Sequence, residues 1–122
     1  MKHLQAICCP VEVTLSIVGG KWKPVIVWLL LGGTKRFGEL RRLIPAATQQ
    51  MLTTQLRELE QAGIIHREVY AQVPPKVEYS LTELGRSLEP VVYQLATWGE
   101  WYFEQNNQAH HQISQEIRNH AR

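Results

Sequence analysis

The stretch RFGELRRLIPAATQQMLTTQLRELEQAGII, residues 36–65, decides the fold. Leu40, Leu43 and Ile44 fall at the i, i+3, i+4 spacing of a buried helical stripe, and Pro45 stops that helix. Thr48 is placed to cap a second helix, whose buried stripe is Leu52, Leu56 and Leu59 and whose end is marked by Gly63. Two helices joined by a turn of a few residues form a helix-turn-helix.

The second helix has a polar side that its core does not need. At about 100° per residue, Leu56 and Leu59 lie within about 40° of Leu52, while Gln50, Thr54 and Arg57 lie opposite and Thr53 lies at the flank. A merely solvated face usually carries Glu and Lys, and Glu is missing from the first two turns here. Gln and Arg side chains bond adenine and guanine edges in bidentate fashion, and a Thr methyl meets the thymine methyl. This face is therefore the candidate for reading base pairs.

Outward from that core the pattern continues on both sides. Upstream, a helix is expected from Cys9 and Pro10 through Val13 and Ile17 to Gly19 and Gly20, because proline suits the first helical position. A second starts near Pro24 and runs through the wholly apolar residues 25–31, so it is expected to be the central core helix. Residues 34–37 form a short connecting segment. Downstream, Ile65, Arg67 and Val69 alternate with His66, Glu68 and Tyr70, and Val77, Tyr79 and Leu81 alternate with Glu78 and Ser80. That is a β-hairpin whose tip, AQVPPK, is kept out of the ladder by Pro74 and Pro75. Beyond it Thr82 is expected to cap one long helix carrying Leu84, Leu88, Val91, Val92, Leu95, Trp98 and Trp101 or Tyr102. A stripe of that length exceeds what a small domain buries, which points to contact between two copies of the chain.

Composition sets limits. A length of 122 residues fits one domain with its own core, and no apolar run of about 18 residues and no leader pattern occur, so the expected compartment is the cytoplasm. The two cysteines, Cys8 and Cys9, are adjacent and cannot staple a fold. The net charge of +2 is small, but residues 21–76 hold nine Lys and Arg against four Glu, and residues 77–122 hold three Arg against six Glu. One part of the molecule is thus suited to phosphate. The candidate phosphate contacts are Lys35, Arg36, Arg41 and Arg42 ahead of the second helix, with Arg67 and Lys76 on the hairpin. The expected architecture is α+β and mostly α: one domain with an N-terminal helix (9–20), a helix-turn-helix (38–63), a two-stranded wing (64–81), a C-terminal dimerisation helix (82–106) and a polar tail (107–122).

The sequence resembles the HxlR-type winged-helix transcription regulators, a bacterial branch related to the MarR group. CPVEVTLSIVGGKW (residues 9–22), KRFGELRRLIP (35–45), MLTTQLRELEQAGII (51–65) and VPPKVEYSLTELG (73–85) carry the resemblance, in family order and near-family spacing, across roughly residues 9–101. It implies a homodimer on double-stranded DNA, with first and last helices at the interface and each wing beside a major-groove helix. Val13, Ile17, Leu88, Val92, Leu95, Trp98, Trp101 and Tyr102 are the expected interface residues. One departure is visible: a Ser-Pro-Lys-like start to the recognition helix is replaced by Thr48-Gln49-Gln50, which removes a lysine and changes the expected base preference.

The resemblance also makes Cys9 the candidate sensor of an oxidant or electrophile. A thiolate at a helix N-terminus is stabilised by backbone N–H groups and the macrodipole, although Glu12 in the same turn opposes it. The alternative is a small buried hydrophobe. Other readings have less behind them. His110, His111, Glu116 and His120 lack metal-ligand spacing, no cofactor is implied, and neither a glycine-rich phosphate loop nor a catalytic constellation is present, so no enzyme is expected. A winged-helix module that binds protein, or a regulator switched by a small effector at the dimer interface, is the competing expectation.

Overall fold

The computed structural model describes residues 9–106 and 116–119. In chain order the elements are α1 (Pro10–Val18), α2 (Lys23–Leu31), β1 (Lys35–Arg36), α3 (Phe37–Leu43), α4 (Gln49–Gln61), β2 (Ile65–Tyr70), β3 (Lys76–Leu81), α5 (Glu83–Arg86) and α6 (Glu89–Asn106). Residues 116–119 form a further helical turn.

The core is built around α2. Ile26, Val27, Leu29 and Leu30 are buried on that helix, and they meet Leu40 of α3 and Leu52, Leu56 and Leu59 of α4. Burying each such side chain contributes about 1.5 to 3 kcal/mol, which is why a helix with no polar face ends up in the centre. Val18, Ile65, Leu81 and Val92 complete the cluster from α1, the sheet and α6. The Nζ of Lys23 at the start of α2 also reaches Glu58 Oε1 of α4 at 2.8 Å.

Local chemistry sets the ends of α4. The Thr48 hydroxyl accepts the Met51 N–H at 3.1 Å. At the other end Gly63 adopts φ +77°, where the Ile64 N–H bonds the Leu59 carbonyl and the Gly63 N–H bonds the Glu60 carbonyl. This is a Schellman closure, and it needs a residue that tolerates a left-handed conformation.

The sheet has three strands in the order β1-β3-β2, all antiparallel, and not the two strands expected from the hairpin alone. Lys35 pairs with Tyr79 and Arg36 with Glu78, so the short connecting segment is an edge strand on β3. Two residues are too few to show a period of two. In the hairpin Ile65 faces Leu81, Arg67 faces Tyr79 and Val69 faces Val77, while Tyr70 pairs with Lys76, which belongs to the strand and not to the tip.

The C-terminal segment is broken where one continuous helix was expected. Thr82 does cap a helix, accepting the Gly85 N–H at 3.0 Å, but α5 ends at Arg86 and α6 begins at Glu89. Pro90 explains the break: inside a continuous helix its ring would meet the Arg86 carbonyl, whereas in the first turn of a new helix it fits. Gly85 is buried where α5 passes the Ile64 carbonyl, so closely that a Cβ would overlap it.

Candidate nucleic-acid interface

The two sides of α4 differ in kind. Leu52, Leu56 and Leu59 are buried, while Gln49, Gln50, Thr53, Thr54 and Arg57 are exposed and together line one shallow concavity. Within that row some groups are already engaged. The Thr53 hydroxyl donates to the Gln49 carbonyl at 2.8 Å. Gln49 Oε1 accepts from Arg41 Nη1 at 3.3 Å, which links α3 to the start of α4. Among the described residues the side chains of Gln50, Thr54 and Arg57 make no hydrogen bond or ion pair. Three side chains with unengaged donors and acceptors on one helix face are available to a partner.

The basic residues divide into two groups. Arg36, Arg41 and Arg42 are exposed and Lys35 is half-buried, and among the described residues none of the four makes an ion pair. The Arg36 backbone N–H bonds Glu39 Oε1 at 3.0 Å, which fixes the start of α3. The hairpin cations are held differently. Arg67 Nε lies 3.4 Å from Glu60 Oε1 of α4, and Lys76 Nζ lies 3.4 Å from Glu78 Oε2 and 4.7 Å from the centre of the Tyr70 ring. Each hairpin cation already shares its charge with a carboxylate. Two hairpin phenols respond to these neighbours. A hydrogen bond to Glu78 and the negative charge of Glu78 raise Tyr70 above its ordinary value. Burial raises Tyr79, with Arg67 pulling the other way.

Cys9 is an exposed free thiol at the N-cap of α1. Its carbonyl accepts from the Glu12 N–H at 2.9 Å and the Val13 N–H at 3.3 Å, while its side chain makes no capping bond. Cys8 lies outside the described residues, as do His110, His111 and His120, and among the described residues no group of three potential metal ligands occurs.

The expected interface residues separate into core and surface. Val92 is 3% exposed and belongs to the core, and Ile17 and Leu88 are half-buried against it, with Val13 also half-buried. Leu95, Trp98, Trp101 and Tyr102 are exposed, and Trp98 stacks on Tyr102 with ring centres 5.4 Å apart. On α1 the exposed apolar residues are Val11 and Leu15, which the reading of the sequence missed. Val11 and Leu15 share one face, four residues apart, just as Val13 and Ile17 share another, so periodicity could not say which pair points inward.

Among the described residues no single helix is long and apolar enough to cross a membrane. The HxlR-like helix-turn-helix family model matches residues 17–107, which leaves Cys9 before its start and residues 116–119 beyond its end. The chain is 65% identical over 94 residues to the uncharacterized HTH-type transcriptional regulator YdeP of Bacillus subtilis (strain 168), covering 77% of this chain and 73% of that one. Among solved structures it is similar to the redox regulator HypR in its oxidized form, at 64% identity and a TM-score of 0.73 over 75% of this chain and 95% of that one. It is also similar to the reduced form of the transcriptional regulator YodB from B. subtilis, at 37% identity and a TM-score of 0.69 over 83% of this chain and all of that one. With the winged helix-turn-helix geometry and these similarities together, the chain belongs to the HxlR-like helix-turn-helix family and is a transcriptional regulator, not an enzyme.

Proposed function

We propose that the chain acts in the cytoplasm as a homodimer on pseudo-palindromic double-stranded DNA, and that modification of the Cys9 thiol switches it. The observation that carries the DNA part is the unengaged row of Gln50, Thr54 and Arg57 on the exposed side of a helix whose other side is locked in the core. In this reading α4 enters the major groove, with Gln49, Gln50, Thr53, Thr54 and Arg57 toward base edges. Thr48 fixes the start of that helix. Lys35, Arg36, Arg41 and Arg42 contact phosphate, and Arg67 and Lys76 contribute less because Glu60 and Glu78 share their charge. The two half-sites lie about one turn apart, roughly 34 to 36 Å.

Dimerisation is supported by the exposed apolar side chains of α1 and α6, above all Leu15, Leu95, Trp98, Trp101 and Tyr102, which water solvates poorly. The Cys9 part is supported by its exposure at a helix N-terminus and by the two redox regulators among the similar structures. With a peroxide, the thiolate sulfur takes one oxygen atom, the O–O bond breaks and the leaving oxygen departs as water or hydroxide, giving a sulfenic acid. A second thiol, from the partner subunit's Cys9 or a small molecule, then displaces water and forms a disulfide. Addition of the same thiolate to a carbon electrophile has the same consequence for α1, whose position at the interface changes how the two α4 helices are spaced.

The test is binding to a fluorescent duplex carrying DNA from upstream of the chain's own coding region, against a random duplex. Reduced protein is expected to prefer the first, and peroxide to change that affinity by about 5- to 150-fold, the usual span of coupling between sites. Cys9→Ser is expected to bind equally well and ignore the oxidant. Equal binding of every sequence in a genome-wide selection would favour a protein-binding module, and an oxidant response that persists in Cys9→Ser would remove Cys9 from the switch.

A further inference from the structure

The start of α4 carries two neighbouring glutamines with the same side chain and different surroundings. Gln50 makes no side-chain hydrogen bond among the described residues, so its amide oxygen and its NH2 are both open. Gln49 is tied to α3: its Oε1 accepts from Arg41 Nη1 at 3.3 Å. A guanidinium carries N–H donors and no acceptor, so only the oxygen of the Gln49 amide can face it, and that chemistry fixes which way the amide is turned. The Gln49 NH2 then lies on the arm away from Arg41. The main chain is held as well, since the Thr53 hydroxyl donates to the Gln49 carbonyl at 2.8 Å and the Thr48 hydroxyl caps the same turn through the Met51 N–H. Both glutamines are exposed and line the concavity on the outer face of α4 with Thr53, Thr54 and Arg57. Among the described residues Arg41 has no carboxylate partner, so no ion pair draws it away from Gln49.

We propose that Arg41 is a positioning residue for base recognition: it turns the Gln49 amide so that Gln49 reads guanine, while Gln50 keeps both the donor and the acceptor that adenine requires. The inference rests on the reading that α4 enters the major groove. Adenine presents an acceptor at N7 and a donor at N6, and a glutamine matches that edge with its NH2 and its oxygen together. Gln49 has the NH2 to offer, but its oxygen is engaged, and the guanidinium beside it brings further donors to a place where adenine brings a donor of its own. Guanine presents acceptors at both N7 and O6, an edge that suits a donor arm with a cation next to it. The other N–H groups of Arg41 stay available to phosphate, so the positioning role adds to the contact proposed above and does not replace it.

The test is a selection of bound duplexes from a random-sequence pool, read by sequencing, with the full chain as wild type, Gln49→Ala, Gln50→Ala, Arg41→Ala and the double variant of Arg41→Ala with Gln49→Ala. The base pair whose preference Gln49→Ala erases is the one that Gln49 reads, and guanine is expected there for the wild type. Arg41→Ala frees the amide. It is expected to move the guanine-to-adenine ratio at that base pair toward adenine by about 3- to 10-fold, the effect of one neutral hydrogen bond, and to leave the preference set by Gln50 unchanged. In the Gln49→Ala background the same substitution is expected to weaken every sequence alike. The free protein gives a second readout: in ¹⁵N spectra the Gln49 side-chain NH2 signals, assigned by their loss in Gln49→Ala, are expected to shift in Arg41→Ala by more than those of Gln50. Adenine preferred by the wild type at the Gln49 position, or Arg41→Ala weakening all sequences at unchanged preference, would overturn the proposal and leave the groove reading standing. Gln49 NH2 signals that Arg41→Ala leaves in place overturn it without any DNA. A wild type that enriches no sequence, or a Gln49→Ala variant that alters no position, overturns the groove reading and the proposal with it.

Discussion

At the scale of single residues, the candidate interface rests on which side chains are already occupied. The Thr48 hydroxyl accepts the Met51 N–H and the Thr53 hydroxyl donates to the Gln49 carbonyl, so Thr48 keeps only its hydroxyl proton, and Thr53 only an acceptor lone pair and its methyl, for a base. Arg57 has no such commitment. Arg57→Ala is expected to cost about 1 to 3 kcal/mol on the cognate site and to relax preference at one base pair, measured by competition among single-base variants. Equal weakening on every sequence would make it a phosphate contact. Gly63→Ala is expected to destabilise the fold by about 1 to 2 kcal/mol in denaturant melts, because its Cβ has room beside Leu84 but its φ of +77° disfavours any L side chain. Tyr79 gives a pH dependence. Its phenol ionises at higher pH in the fold than in the unfolded chain, so its contribution is fully present below the ordinary value of 10.0 and is lost as pH rises beyond it. The melting temperature is expected to fall more steeply above that pH for the wild type than for Tyr79→Phe.

At the scale of elements, α1 and α6 each divide one apolar sequence between two environments. On α6 Val92 is in the core while Trp98 is 62% exposed, and on α1 Val18 is in the core while Leu15 is 60% exposed. Truncating the two kinds of residue is expected to have different effects. Leu15→Asp and Trp98→Ala should leave unfolding free energy per chain nearly unchanged in dilute solution but shift sedimentation toward the monomer. Leu56→Ala in α4 should instead cost about 2 to 5 kcal/mol of stability through the cavity it opens. A dimer that survives both surface changes would move the interface off α1 and α6. These helices also show what was readable beforehand: the caps, stops and apolar stripes of α3 and α4 are local signals, whereas the choice between the Val13 and Val11 faces of α1 is made by what packs against it.

At the scale of the whole molecule, charge is distributed by region. The segment that builds α2 through the hairpin carries the excess of Lys and Arg, and the C-terminal segment carries the excess of Glu, so a DNA-bound dimer would present its basic parts to phosphate and its acidic parts away from it. Specific binding is expected to weaken by about 10³ to 10⁵ between 50 and 200 mM salt, as for a dimer making some six to ten phosphate contacts. A much flatter dependence would mean that Lys35, Arg36, Arg41 and Arg42 lie off the backbone.

Sequence by itself determined the helix-turn-helix, the central position of α2, the hairpin and the polar face of α4. Each follows from signals within a few residues: Thr48 and Gly63 at the ends of α4, leucines three and four apart, alternation from Ile65 to Tyr70, and a helix with nothing polar to leave outside. Tertiary structure alone decided the rest. Lys35 and Arg36 became a strand because β3 offered an unpaired edge, and Val92 entered the core because α6 lies across α2. Arg67 and Lys76 found carboxylates on α4 and within β3. The break before α6 lies between the two cases: Pro90 announces it in the sequence, but the apolar stripe that runs through it conceals it. The physical reason is range: caps and periods are properties of neighbours along the chain, while pairing, burial and cavity lining depend on residues brought together from distant positions.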